Sequence, residues 1–211
     1  MVQAVDLIIS PQWIVPIRPA HQVLTQSSLV VNDGRIISIG ATDAILQQFQ
    51  ANEHCQLPDH LLMPGLVNAH GHAAMTLLRG MADDLPLMTW LNEHIWPAEG
   101  EFVDADFVTA GSALAMVEML KSGTTTFSDM YFFPESTAKV ATELGMRCQI
   151  TTPVLDFPSA WAANAEEYIH KGLSLHDDYR HSALVNIALG PHAPYTVSNK
   201  ALKQVGTLAH Q

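Results

Sequence analysis

Cysteine is nearly missing from this sequence: Cys55 and Cys148 are the only two in 211 residues, far apart and in no C-x-x-C pair. That argues against a disulfide framework and fits a reducing, cytoplasmic setting. Basic residues are also scarce. Ten Lys and Arg stand against 21 Asp and Glu, a formal net charge of −11, and no basic run occurs. Neither nucleic acid nor an anionic membrane surface is therefore expected as a partner. No uninterrupted apolar run reaches about eighteen residues, so no membrane span is expected. The opening Met1-Val2-Gln3-Ala4-Val5-Asp6 also lacks the basic start and long apolar region of a signal peptide. Low-complexity segments and internal repeats are absent as well. With 48% hydrophobic and 15% charged residues, the chain reads as globular rather than disordered.

Histidine, by contrast, is plentiful at eleven residues. Two of them close the stretch Leu61-Leu62-Met63-Pro64-Gly65-Leu66-Val67-Asn68-Ala69-His70-Gly71-His72. If the apolar run is a strand, its period of two turns His70 and His72 to the same side, where two imidazoles could grip one metal ion. Gly71 lets the backbone bend closely there. The plainer alternative is a pair of ordinary loop or core histidines, since H-x-H is a short pattern with many chance matches.

Before this stretch, residues 1–60 read as short strands, at 5–9, 13–16, 28–31 and 36–39. Asn32-Asp33-Gly34-Arg35 forms a hairpin turn between the last two, and a short helix over 41–50 has Thr42 as its cap candidate. From Leu61 strands alternate with helices. A short helix or turn covers 75–80, and an amphipathic segment from Met88 to Ile95 is expected to stop near Pro97. Asp104 caps a long helix reaching Ser122, with Phe107, Ala110, Leu114 and Val117 on one face and Gly123 as its stop. Strands follow at 124–130, 146–155 and 183–189. The helices between them start at Pro134 and at the cap candidate Ser159, and a last helix runs from Ser198 into Gln211.

Four strand–helix units in a row predict right-handed crossovers and a parallel sheet, an α/β fold. A doubly wound sheet calls for a Gly-rich phosphate turn after an early strand, and none is present. A barrel calls for reactive residues at strand C-termini, and His70, His72, Asp129 and His192 all fall there. The barrel is preferred, although four units make only half of one.

Taken together, these stretches resemble one family. Pro64-Gly65-Leu66-Val67-Asn68-Ala69-His70-Gly71-His72, with Thr76-Leu77-Leu78-Arg79-Gly80, is similar to the opening of the amidohydrolase superfamily barrel. Trp90-Leu91 with Ile95-Trp96-Pro97-Ala98-Glu99, then Ser122-Gly123-Thr124-Thr125, Asp129-Met130-Tyr131 and Gly190-Pro191-His192-Ala193-Pro194-Tyr195, carry the resemblance over essentially the whole chain. They bring it nearest to 5′-methylthioadenosine/S-adenosylhomocysteine deaminases and their chlorohydrolase relatives.

The resemblance implies a metal-dependent (β/α)8 TIM barrel. Residues 61–211 would supply about its first four βα units, and residues 1–60 the N-terminal part of a small β-sandwich subdomain. It implies His70 and His72 as ligands of one divalent metal, zinc before Fe2+ or Mn2+. Glu99 would contact the ribose hydroxyls of a nucleoside, His192 would contact the substrate near the reacting centre, and Trp90 would line the pocket. Asp129 receives no catalytic task and reads as a hydrogen-bonded structural aspartate. Thr151-Thr152-Pro153 stands where some members place a substrate-binding arginine.

The family's third metal histidine, its general acid–base glutamate and its metal aspartate are expected beyond residue 211. No catalytic residue proper is thus expected within the chain, and the stretch alone is expected to be inactive. The reaction implied is hydrolytic deamination of an adenosine-type nucleoside, such as 5′-methylthioadenosine or S-adenosylhomocysteine, to the inosine analogue and ammonia. A guanine deaminase or an s-triazine chlorohydrolase is the sister reading, and a non-catalytic fragment is the reading from another class. Expected partners are a small purine nucleoside and, in a homo-oligomer, a second copy of the chain.

Overall fold

The computed structural model describes residues 2–210. The chain separates into two compact units, one ending at Pro64 and one starting at Gly65.

The first unit is a five-stranded sheet. Its long strand β1 (Gln3–Ile14) merges the two strands expected at 5–9 and 13–16. A short β2 (Leu24–Thr25) and β3 (Ser27–Asn32) pair antiparallel with β1, and β4 (Arg35–Ala41) pairs with β3. The turn between β3 and β4 puts Asp33 and Gly34 at φ of 50° and 69°, the left-handed conformation of a two-residue hairpin loop. Helix α1 (Thr42–Gln48) follows, but its cap is Ala41, which offers no side-chain bond. Thr42 instead places its hydroxyl 2.9 Å from Ser28 Oγ. Strand β5 (Phe49–Leu62) then runs parallel to β1 for almost its whole length. Val5, Ile8, Val30 and Ile45 form the core of this unit.

The second unit holds four parallel strands, β6 (Leu66–Gly71), β7 (Thr124–Asp129), β8 (Arg147–Val154) and β9 (Val185–Pro191), in that order across the sheet. Adjacent placement of consecutive strands is what a barrel requires; a doubly wound sheet reverses direction from a central strand. Helix α4 (Ala105–Lys121) precedes β7. Helix α5 (Pro134–Leu144) links β7 to β8, α6 (Ala165–Tyr179) links β8 to β9, and α7 (Asn199–Ala209) follows β9. Phe127, Ile150 and Ile187 from the strands pack with Met116, Ala138, Ala141 and Leu175 from the helices. No helix among the described residues is long and apolar enough to cross a membrane.

Several sequence expectations shift here. Asp104 caps α4 by accepting from Phe107 N at 2.8 Å, and Gly123 ends it at φ +86°. The buried face of α4, however, is Val108, Gly111, Ser112, Ala115 and Met116, while Leu114 and Val117 lie 41% and 45% exposed. Small residues allow this close contact: a Cβ on Gly111 would lie 2.8 Å from Ala74 Cα. Pro97 does not stop the preceding helix. It sits in the first turn of α3 (Trp96–Phe102), within a longer run of helical backbone. Helical backbone already runs there from α2 (Leu87–Thr89) through a π-helical segment, Trp90–Ile95. Ser159 is not a helix cap either; Asn164 caps α6 by accepting from Glu167 N. The last helix is capped by Ser198 and ends at Ala209, and Gln211, to which it was expected to run, lies outside the described residues.

Candidate functional site

The C-terminal end of β6 presents His70 and His72 with ring centroids 5.1 Å apart, edge to face. His72 Nδ1 lies 2.6 Å from the carbonyl oxygen of Met130. A carbonyl only accepts, so Nδ1 carries the hydrogen and Nε2 is left as a lone-pair donor. Two further bonds join the same backbones: Met130 N donates to Gly71 O at 3.0 Å, and Ala73 N donates to Asp129 Oδ1 at 2.6 Å. The strand end and the 3-10 turn after it (Ala73–Leu78) are thus stitched to the end of β7. Asp129 is 2% exposed, and burial pushes its carboxyl up to about 7, against the pull of the Ala73 N–H and of His70.

Tyr131, two residues on, donates its hydroxyl to Glu99 Oε1 at 2.7 Å. Glu99 is carried by α3. Desolvation raises its carboxyl above the usual range, while the Tyr131 hydrogen bond and the charge of His72 work the other way. His192 follows β9, its backbone N–H donating to Val154 O at 3.2 Å. Its Nδ1 lies 3.1 Å from Thr196 Oγ1, and that hydroxyl donates to Ala193 O. The hydroxyl therefore accepts from Nδ1–H, leaving Nε2 of this ring free as well. Burial, and after it the charge of His72, lower His192 below the ordinary histidine value, so its neutral form predominates near pH 7.

A pocket of about 480 Å³ gathers His72, Trp90, Glu99, Tyr131 and His192. Met75, Leu91, Ile95, Phe132 and Phe157 make much of the remaining wall apolar. His70 is not among the lining residues; its ring packs against His72. The loop after β8 contributes Phe157, Pro158, Ser159 and Ala160 to the lining. That loop is braced from behind. Trp161 Nε1 donates to both Glu135 oxygens, at 3.1 and 3.2 Å, and Tyr168 donates to Ser159 Oγ at 2.6 Å. Lys171 bonds Trp161 O, pairs with Glu167 at 2.8 Å and lies over the Trp161 ring.

The structure therefore brings four of the five sequence-predicted site residues, His72, Glu99, His192 and Trp90, to one cavity, with His70 beside it. Sequence reasoning gave no role to Tyr131 or to the Met130 carbonyl, though both stand in the Asp129-Met130-Tyr131 stretch that it singled out. The two imidazoles suit a borderline-soft divalent ion, one ring already fixed in the tautomer that turns Nε2 outward. Among the described residues, no group of three or more His, Cys, Asp or Glu could hold a metal.

Known proteins extend this picture. Over 206 residues the chain is 59% identical to a 5-methylthioadenosine/S-adenosylhomocysteine deaminase of Saccharophagus degradans, covering 98% of this chain and 46% of that protein. It superposes with a TM-score of 0.98 and 42% identity on the crystal structure of an adenosine deaminase from Xanthomonas campestris with bound zinc, covering 100% of this chain and 48% of that one. An atrazine chlorohydrolase from Arthrobacter aurescens, complexed with zinc, shares the fold at a TM-score of 0.84 and 17% identity, over 97% of this chain and 50% of that one. The chain spans about half the length of the curated relatives it matches. Residues 61–211, the stretch that holds the histidine pair, the glutamate-bearing helix and the pocket, match the model of the Amidohydrolase family, and the chain belongs to that family.

Proposed function

We propose that the intact protein is a metal-dependent hydrolase that deaminates an adenosine-type nucleoside, 5′-methylthioadenosine or S-adenosylhomocysteine, to the inosine analogue and ammonia. Residues 1–60 would be part of a β-sandwich subdomain and 61–211 half of the barrel. The observation that carries the reading is the joining of His72 and Glu99 in one pocket, an imidazole that would suit a metal and a carboxylate that would suit sugar hydroxyls.

His70 and His72 would hold one divalent ion, with zinc favoured because two relatives in structure carry it. When bound, such an ion supplies Lewis acidity that makes a water acidic enough to attack near neutral pH. Three protein ligands are usual for a hydrolytic zinc, and the described residues offer two, so the reading applies to the intact protein. Glu99 would accept hydrogen bonds from the ribose hydroxyls and so select a nucleoside over a free base. The neutral His192, with Nε2 a free lone pair, would accept a hydrogen bond beside the reacting carbon. Trp90 would cover a face of the ligand within the apolar wall. The free thiols of Cys55 and Cys148 support a cytoplasmic setting.

The test is ammonia release from 5′-methylthioadenosine by the intact protein loaded with zinc. Turnover of guanine or an s-triazine in its place would move the assignment to the sister activities. Turnover of none of the three, read as ammonia from the nucleoside or guanine and as chloride from the triazine, would sink it.

A further inference from the structure

We propose that Tyr131 is a positioning residue for ribose recognition: its hydroxyl holds one oxygen of Glu99 so that the other faces the pocket as a fixed acceptor for the sugar hydroxyls. The proposal rests on the reading of Glu99 given above and goes beyond it.

Tyr131 is 6% exposed and lines the pocket with Glu99. Its ring is held from two sides, 5.4 Å from Phe132 and 6.4 Å from His72 between centroids, and its backbone continues directly from the Asp129-Met130 pair stitched to β6. A phenol so held has little freedom, and the 2.7 Å bond to Oε1 fixes the carboxylate plane with it. Tyr131 supplies the one hydrogen bond found for the Glu99 side chain among the described residues, leaving Oε2 available to a ligand. A glutamate on a helix has three rotatable side-chain bonds, and without the phenol it would have to be ordered by the substrate itself. The arrangement therefore predicts tighter binding of ligands that carry the hydroxyls, with little change for ligands that lack them.

The experiment compares 5′-methylthioadenosine with its 2′,3′-dideoxy counterpart on the intact protein. Two readouts are taken: equilibrium binding by calorimetry with the metal removed, and kcat/KM with zinc present. The wild type should prefer the hydroxylated ligand. Tyr131→Phe should shrink that preference by about tenfold, the scale of one charge-assisted bond, chiefly through Kd and KM. Adding Tyr131→Phe to Glu99→Gln should change the preference no further.

A preference unchanged in Tyr131→Phe overturns the proposal. So does an equal loss for both ligands, which marks a merely structural role. A wild type that does not distinguish the two ligands overturns the ribose reading of Glu99, and this proposal with it. If the phenylalanine variant does not fold, 3-fluorotyrosine placed at 131 keeps the ring and makes its hydroxyl a stronger donor; a preference that then fails to move is equally fatal.

Discussion

Strand β6 carries His70 and ends one residue before His72, yet four of its six residues are exposed, Val67 to 65%. Strand β7, hydrogen-bonded beside it, buries Thr124, Phe127 and Asp129 and carries neither candidate metal ligand. The candidate metal ligands sit at the end of the loosely packed strand, and the bonds that fix them come from the end of the packed one. Asp129 accepts from the turn after His72, Met130 O sets the His72 tautomer, and Tyr131 reaches across to Glu99. A thinly packed strand gains precision when its neighbour supplies both the rigidity and the hydrogen bonds.

The contrast breaks most sharply at His72. In the intact protein His72→Ala should lower zinc affinity by more than the roughly 100-fold typical of losing an outer hydrogen-bond partner, read by chelator competition. Unaltered zinc binding would remove His72 from the metal chemistry. Asp129→Ala tests the anchoring strand. It strips the acceptor from the buried Ala73 N–H, a cost of about 1–3 kcal/mol in chemical denaturation, and should weaken zinc binding by roughly 10-fold or more. Asp129→Asn keeps an acceptor and should cost less on both counts.

Gly111→Ala pushes on the turn from the other side. Its Cβ would meet the Ala74 backbone, which predicts a loss of about 1–3 kcal/mol by overpacking. Gly206→Ala, with open space around it in α7, should instead be neutral or stabilise by up to about 1 kcal/mol. The smallest effect concerns pH. Desolvation raises Glu99 above its ordinary 4.5, so falling pH protonates it earlier than an exposed glutamate. Preference for ribose hydroxyls should fade a few-fold on acidification, beginning above pH 4.5, and a flat profile would contradict the raised carboxyl.

Local chemistry made much of this legible. Asp104, Gly123, Pro134 and Ser198 mark helix ends through signals that operate over three or four residues, and each holds in the structure. The His70–His72 spacing is likewise local, whereas Asp129, read as a hydrogen-bonded aspartate from the resemblance, finds its donor in Ala73, 56 residues away. Misreadings arose where distant contacts decide. Helix α4 is apolar on more than one side, so its pattern favoured Leu114 and Val117, whereas close approach to Ala74 selects the face with Gly111, Ser112 and Ala115. Strand β5 passes through Asn52-Glu53-His54 and Gln56, polar residues that hide it from any hydrophobic pattern until β1 supplies its partner. Tyr131 and Glu99 lie 32 residues apart, and nothing in either neighbourhood announces their bond.

The loop after β8 divides its duties among neighbouring residues. Trp161, fixed by Glu135 and Lys171, bears on the fold, while Phe157, Pro158 and Ala160 face the cavity. Such a division lets the wall be rewritten without touching its moorings. In a lineage of descendants, exchanges at 157, 158 and 160 would alter which ligand the pocket accepts while the melting temperature stays nearly constant. That makes this short segment the natural handle for divergence, or for a designer who wants a new ligand on an old frame.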